Sequence, residues 1–113
     1  MTWTLSQSGT TATLNVASGE TTLGSADTNN ATFTLTIDLS NMVLGDLVEL
    51  RIKTIDLNGG STIQCWKGTY QHVQINNIKI SPPIASDQSL TCTIKWLALA
   101  SGTRSNAWKI LRI

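Results

Sequence analysis

The sequence is poor in charge, in cysteine, in histidine and in long apolar runs, and each shortage narrows what the protein can be. Only 13% of its 113 residues are charged, which is about half the usual fraction. No apolar run approaches the roughly 20 residues of a membrane-spanning helix. The first residues also lack the basic and apolar regions of a secretory signal. We therefore expect a protein that is made in a cytoplasm and has no membrane partner.

The two cysteines, Cys65 and Cys92, are too few for a disulfide scaffold. Two buried free thiols are the expected state, with a disulfide between them or an intermolecular bond as the alternatives. A zinc site formed by both thiols and His72 is disfavoured, because the sequence contains no closely spaced pair of cysteines. We predict no metal and no cofactor.

The single histidine, His72, has no carboxylate within ten residues on either side, so the sequence does not support a catalytic role for it. The chain also lacks a glycine-rich phosphate loop, a nucleophile elbow and a metalloprotease motif. Asp38, Asp46 and Glu49 could still converge in space as a glycosidase-like acid pair. We predict that the protein is not an enzyme and interpret His72 as a structural or interface residue.

The charges are separated along the chain. Residues 1–50 carry five acids and no Lys or Arg, a formal −5, whereas residues 51–113 carry eight bases and two acids, a formal +6. Separate acidic and basic surfaces would attract other copies or an acidic partner. Alternatively, the halves interleave in one sheet system and the charges pair across strands, which is the arrangement we expect. Because the bases are scattered singly, no nucleic-acid partner is predicted.

Apolar and polar residues alternate along much of the chain, which predicts strands with one face in a core. The alternation covers residues 12–16, 31–39, 46–56, 90–96 and 108–113. In the last segment Leu111 and Ile113 make the second face apolar too, so this strand should be covered on both faces, by the fold or by another subunit. The 17 threonines favour strands as well.

Turn signals divide these strands. Asn58-Gly59 is the strongest hairpin signal, Pro82-Pro83 should break a sheet, and Asn76-Asn77 indicates a bulge. Residues 39–45 could form a single helical turn. We predict that residues 1–113 form a single all-β domain, an antiparallel β-sandwich of jelly-roll or Greek-key topology with about eight short strands.

Four of the six aromatic residues are tryptophan. Trp96 and Trp108 alternate with other apolar residues, which predicts that they lie in the core. Trp66 and Tyr70 share a more polar face and are candidates for an exposed surface that contacts protein or sugar. Trp3 is a candidate interface anchor, because buried tryptophan often dominates contact energies.

Several segments carry a resemblance to a known group of proteins. In order they are 44–52 (LGDLVELRI), 66–72 (WKGTYQH), 79–83 (KISPP), 102–104 (GTR) and 108–113 (WKILRI). This order is similar to that of small β proteins encoded among the structural genes of tailed bacteriophages, and the likeness covers about residues 31–113. It implies a virion protein made in the host bacterial cytoplasm, most specifically a decoration or cement protein on the capsid surface. Such a protein would bind the major capsid protein and self-associate as a homotrimer.

The candidate interface combines this implication with the aromatic and charge patterns. Its residues are Trp3, Trp66, Tyr70, His72, Arg104, Lys109, Arg112 and Ile113. The alternative hypothesis is a carbohydrate-binding or tail- or fibre-associated β-sandwich module, in which Trp66 or Tyr70 would stack on a sugar.

Overall fold

The computed structural model describes residues 2–55 and 60–113, and these residues contain nine β-strands and no α-helix. The strands are β1 (Thr4–Thr10), β2 (Thr21–Thr22), β3 (Ala31–Asp38), β4 (Leu47–Ile55), β5 (Ile63–Gln71), β6 (Ile78–Ile80), β7 (Ile84–Ser86), β8 (Ser89–Ala98) and β9 (Ala107–Arg112). A short 3₁₀ turn covers Val16–Ser18.

The strands form two antiparallel sheets that pack as a β-sandwich, which confirms the predicted fold class. The first sheet has the order β1-β9-β3, and β6 and β7 both pair with the far side of β3. The second sheet has the order β2-β8-β4-β5. If β6 and β7 are counted as one interrupted strand, β1 pairs with β9, β2 with β8, β3 with the β6–β7 strand, and β4 with β5. This nested pairing is a jelly roll.

The core lies between the sheets and comes from alternate residues of the central strands. The first sheet contributes Phe33, Leu35, Ile37, Trp108 and Ile110, and the second contributes Val48, Leu50, Ile52, Leu90, Cys92, Ile94 and Trp96. The predicted core positions of Trp96 and Trp108 are confirmed. Each fully buried side chain of this size contributes about 1.5–3 kcal/mol, so this layer is the main source of stability.

Three local predictions are wrong. Residues 12–16 form no strand, because the Asn15 side chain accepts a hydrogen bond from Ser18 N–H and caps the 3₁₀ turn. The helical turn at 39–45 is replaced by two tight turns, in one of which Asp46 N–H donates to the carbonyl of Val43. Residues 76–77 lie in a loop rather than a bulge, because the chain crosses there from the second sheet to the first.

The interruption predicted at Pro82-Pro83 is present and separates β6 from β7, since proline has no N–H to donate to a ladder. Ser81 preserves the alignment across the gap. Its N–H donates to the Leu35 carbonyl at 2.8 Å, and its hydroxyl accepts from Leu35 N–H at 2.9 Å. The turn predicted at Asn58-Gly59 lies outside the described residues.

Candidate interaction surface

The outer faces of the two sheets differ in chemistry. On the second sheet, β4 presents Glu49, Arg51 and Lys53, and the neighbouring positions on β8 are Thr93 and Lys95. This outer face is polar and its charges pair with one another. It has the usual character of a sheet surface in contact with water.

The outer face of the first sheet is apolar, and we call it the open face. The strand register places Leu5 beside Leu111. It also places Ile80 beside Thr36 and Ile78 beside Asp38, which are outward residues of β3. Ile113 exchanges two backbone hydrogen bonds with Thr32 and continues the face, and Trp3 follows the alternation of Leu5. The large apolar side chains of the open face are Trp3, Leu5, Ile78, Ile80, Leu111 and Ile113; Leu111 is half-buried and the others are exposed. Exposed apolar clusters of this kind mark interaction sites.

The prediction that the last strand is covered on both faces is confirmed for the inner face, and cover of the outer face by another subunit stays a prediction. Trp108 and Ile110 point into the core, whereas on the outer side Leu111 is half-buried and Ile113 is exposed. The edges of β9, in contrast, are both paired, with β1 on one side and β3 on the other.

Two unpaired charges of opposite sign lie on the open face. Lys109 and Asp38 both line a groove of about 460 Å³ with Ser8, Thr36 and Ile78. Asp38 accepts a hydrogen bond from Ser40 N–H at 2.9 Å. Neither Lys109 nor Asp38 has an ion-pair partner among residues 2–55 and 60–113. Lys109, a predicted interface residue, is therefore available for contact.

A second apolar surface lies on two neighbouring loops, and we call it the loop tip. It consists of Val43 and Leu44, before β4, and of Val73 and Ile75, after β5. All four are exposed, and Ile75 is 98% exposed. Sequence analysis did not select these residues as interface candidates, because the alternation of Val73 and Ile75 indicates a strand rather than an exposed loop.

His72, another predicted interface residue, ties these two loops together. Its Nδ1 accepts from Gly45 N–H at 2.9 Å, and its own N–H donates to the Asp46 carbonyl at 2.8 Å. His72 adopts a φ of 63°, a left-handed conformation that is uncommon outside glycine. These bonds hold the loop tip in one arrangement, so His72 has a positioning role behind the exposed residues.

Asp46 is the centre of a buried polar cluster next to the loop tip. Its side chain is 0% exposed and accepts from Val43 N–H at 3.0 Å and Ala100 N–H at 2.9 Å. Arg104 Nε donates to the same carboxylate at 3.1 Å. Burial alone would raise the pKa of Asp46, but the two N–H groups and the Arg104 guanidinium outweigh it and hold the pKa below 3.8. Arg104, whose side chain is 12% exposed, is thus occupied inside the fold.

Arg112 also has an internal partner. Its Nη1 lies 3.7 Å from Asp27 Oδ2, in a polar pocket of about 340 Å³ formed mainly by residues 25–29 and β1. Asp27 accepts further hydrogen bonds from the Ser6 hydroxyl and from Asn29. Burial would raise the pKa of Asp27, yet these hydrogen bonds and the Arg112 charge lower it. These contacts anchor the loop of residues 25–29, and both carboxylate oxygens of Asp27 take part in them.

Most acidic residues of the first half of the sequence pair with basic residues of the second half in the fold. Four acids from residues 1–50 pair with bases from residues 51–113 across the described structure. The pairs are Glu20 with Arg51 and Lys53, Asp27 with Arg112, Asp46 with Arg104, and Glu49 with Arg51 and Lys67. The expected interleaved arrangement, with charges that pair across strands, is confirmed for these residues.

Trp66 and Tyr70 do not form the exposed surface that sequence analysis expected. Both are half-buried and pack against the core. A Cβ atom at Gly68, between them, would lie 2.8 Å from the Trp66 ring and 3.2 Å from the Tyr70 ring. The two rings therefore cover the glycine on the inner side of an edge strand, and Lys79 Nζ lies 5.1 Å from the Tyr70 ring centre. Alternation identified the shared face correctly but assigned it to the wrong side of the sheet.

Neither Cys65 nor Cys92 forms a disulfide in the described structure, as expected, but only Cys92 is buried. Cys65 is exposed at a register shift in β5. Burial is the main cause that raises the pKa of the Cys92 thiol to about 12. The two thiols therefore differ in both access and acidity.

The acids considered for catalysis do not share a cleft. Asp38 lies on the open face, Glu49 lies on the outer face of the other sheet, and Asp46 is buried with Arg104. Among the residues described, no three His, Cys, Asp or Glu side chains are grouped so that they could hold a metal ion. The same residues include no helix with the length and apolar character needed to cross a bilayer.

Comparison with protein-family models, with curated proteins and with solved structures found no significant match. The likeness to phage structural proteins thus stays a prediction from sequence.

Proposed function

We propose that this protein is a non-enzymatic structural subunit of a phage virion, a capsid decoration or cement protein. It binds the major capsid protein at the capsid surface, self-associates and stabilises the shell. The observation that carries the proposal is the presence of two exposed apolar surfaces, the open face and the loop tip, on one 113-residue domain. Contiguous exposed apolar surface is rare on a domain that acts alone.

The fold and its charges support the same role. Jelly rolls occur in viral capsid proteins and in lectins, and fold alone does not decide between such functions. Here the ion pairs are formed inside the domain, so that partners are contacted mainly through apolar side chains and threonine. Those groups cost less to desolvate than unpaired charges do.

The loop tip is the surface that we assign to the capsid protein. Its two loops are held by the hydrogen bonds of His72 and by the Asp46 carboxylate. A prearranged loop loses little conformational freedom on binding, which improves affinity. Many copies on a regular shell would add such contacts through multivalency.

The test uses capsids, prepared without this protein, of the phage whose genome encodes the chain. Wild-type protein should co-sediment with these capsids and should raise the temperature at which they disassemble. The variant Leu44→Glu/Ile75→Glu should lose binding, whereas Lys95→Glu, on the outer face of the second sheet, should bind as wild type does. Absence of binding by wild type would refute the proposed function. Undiminished binding by the loop-tip variant would refute the role of that surface.

A carbohydrate-binding role loses its main support in the structure. The stacking candidates, Trp66 and Tyr70, are packed over Gly68. The polar pocket next to Asp27 has no aromatic residue in its lining, and stacked aromatic rings were the basis of that hypothesis. We therefore expect no change in tryptophan fluorescence when glycans are added.

A further inference from the structure

We infer that the open face binds the open face of a second copy of this chain, in a two-fold symmetric pair. The inference rests on the proposed function, which requires self-association, and it names the surface and the symmetry. A homotrimer is the expectation from sequence, whereas a flat face that packs on its own copy generates a dimer.

The first argument is the extent of the apolar surface. The open face has apolar side chains on β1, β9 and β6, with the threonines of β3 between them. Two sheets pack face to face at about 10 Å when both present such side chains. A second copy would thus bury the exposed Ile113 and the exposed part of Leu111.

The second argument is charge. Lys109 and Asp38 are the ionisable residues of the open face, and neither pairs within the described part of its own chain. In a two-fold contact, residue i of one copy meets residue j of the other, and j meets i. One cation and one anion on the same face thus form two equivalent ion pairs, Lys109 with the second copy's Asp38 and the reverse. The face is neutral in sum and complementary to itself.

The third argument is shape. Lys109 and Asp38 both line the groove of about 460 Å³, beside Ile78. The groove is shallow and open, and it would place the second copy's lysine beside the Asp38 carboxylate and the apolar Ile78 side chain. At the other end of the face, Trp3 supplies the kind of aromatic anchor that dominates many interfaces.

The experiment measures the solution mass of purified protein by light scattering after size exclusion and by sedimentation equilibrium over a wide range of concentration. Wild type should form a dimer. The single variants Lys109→Asp and Asp38→Lys place like charges opposite each other twice in each homodimer, so each should raise the dimer dissociation constant more than tenfold. An equimolar mixture of the two variants should recover dimer, because both contacts of the mixed pair become attractive.

Two control variants distinguish loss of the dimer contact from loss of folding. Leu5→Glu/Ile80→Glu changes exposed apolar residues of the open face and should give a monomer with unchanged circular dichroism. Lys95→Asp, which changes a lysine of the other sheet in the same way as Lys109→Asp, should remain dimeric. A wild-type monomer at every concentration, a trimer, or a mixture that stays monomeric would each overturn the inference.

The two proposals can fail separately. If wild type forms a dimer that open-face variants disrupt, but does not bind capsids, the inferred contact is supported and the capsid function is refuted. If wild type is a monomer that binds capsids through the loop tip, the proposed capsid binding is supported and the contact between copies is refuted.

Discussion

Arg104 and Asp46 form a buried ion pair between residues that are 58 positions apart, with Arg104 Nη2 at 3.0 Å from Asp46 Oδ2. The carboxylate also holds Val43 N–H and Ala100 N–H, so that one side chain joins the loops before β4 and after β8. Charge reversal at Arg104, a predicted interface residue, would therefore act on folding.

Replacing Arg104 by alanine should lower the free energy of unfolding by about 3–5 kcal/mol, because it leaves the buried Asp46 carboxylate without its ionic partner. Urea denaturation followed by tryptophan fluorescence measures this. Lys109→Ala, which removes a cation that has no ion-pair partner among the described residues, is the matched control and should change stability by less than about 0.5 kcal/mol. If the two substitutions lower the free energy of unfolding equally, the buried ion pair contributes no more to stability than the exposed lysine does.

Acid should destabilise the fold through Asp46 and Asp27. Hydrogen bonds and arginine partners hold the pKa of both carboxyl groups below 3.8, the ordinary value. The unfolded chain thus takes up protons at a higher pH than the folded one does, so the stabilisation is fully present above 3.8 and is lost as the pH falls below it. The urea midpoint should therefore decrease steeply at low pH. In Asp27→Asn the decrease should be shallower, and an unchanged slope would contradict the role of that carboxylate.

Two glycines with positive φ should respond differently to alanine. Gly102 has a φ of 68° with open space around it, so Gly102→Ala should cost about 1–2 kcal/mol from the backbone alone. Gly24 has a φ of 71°, and an added Cβ would also lie 2.8 Å from the Trp108 ring and against the Gln7 side chain. Gln7 cannot move freely, because it makes two hydrogen bonds to the backbone of Ser25.

Gly24→Ala should therefore cost at least about 1 kcal/mol more than Gly102→Ala, through overpacking. Urea denaturation of the two variants side by side measures the difference. Equal costs would mean that the structure places Gln7 and Trp108 too close to Gly24.

The two thiols should react at very different rates. Cys65 is exposed, whereas Cys92 is buried and its pKa is raised to about 12, so that its reactive thiolate is scarce at neutral pH. A colorimetric disulfide reagent should modify one thiol rapidly in native protein and both in urea. Cys65→Ser should abolish the rapid phase, and rapid modification that persists in this variant would show that Cys92 is accessible.

Much of the fold could be predicted because the central strands bury one face. The strict alternation in β3, β4, β8 and β9 follows directly from that burial. Alternation does not indicate β1, because its residues that face the core side are Gly9 and Gln7, which carry no apolar signal. Its position is decided by pairing with β9, more than a hundred residues later in the chain.

The surfaces were less predictable than the strands. Lys109, Trp3 and Ile113, which were selected as interface candidates, are exposed, but Arg104 and Arg112 have internal partners that only the fold brings near. Trp66 and Tyr70 alternate as a polar face would, because an edge strand leaves even its inner side half-exposed. Sequence pattern predicts which residues share a face, whereas the pairing of distant strands decides what that face meets.

The place of β9 between β1 and β3 has a consequence for biosynthesis. On the ribosome, the first sheet cannot close until residues 107–112 have emerged, since β1 has no other partner strand in the described structure. When residues 1–50 first emerge they carry a formal charge of −5 and no Lys or Arg, and mutual repulsion keeps such a segment extended and soluble. Folding is therefore expected to follow the completion of synthesis and to be slow for a chain of this length, because most of its contacts join distant residues.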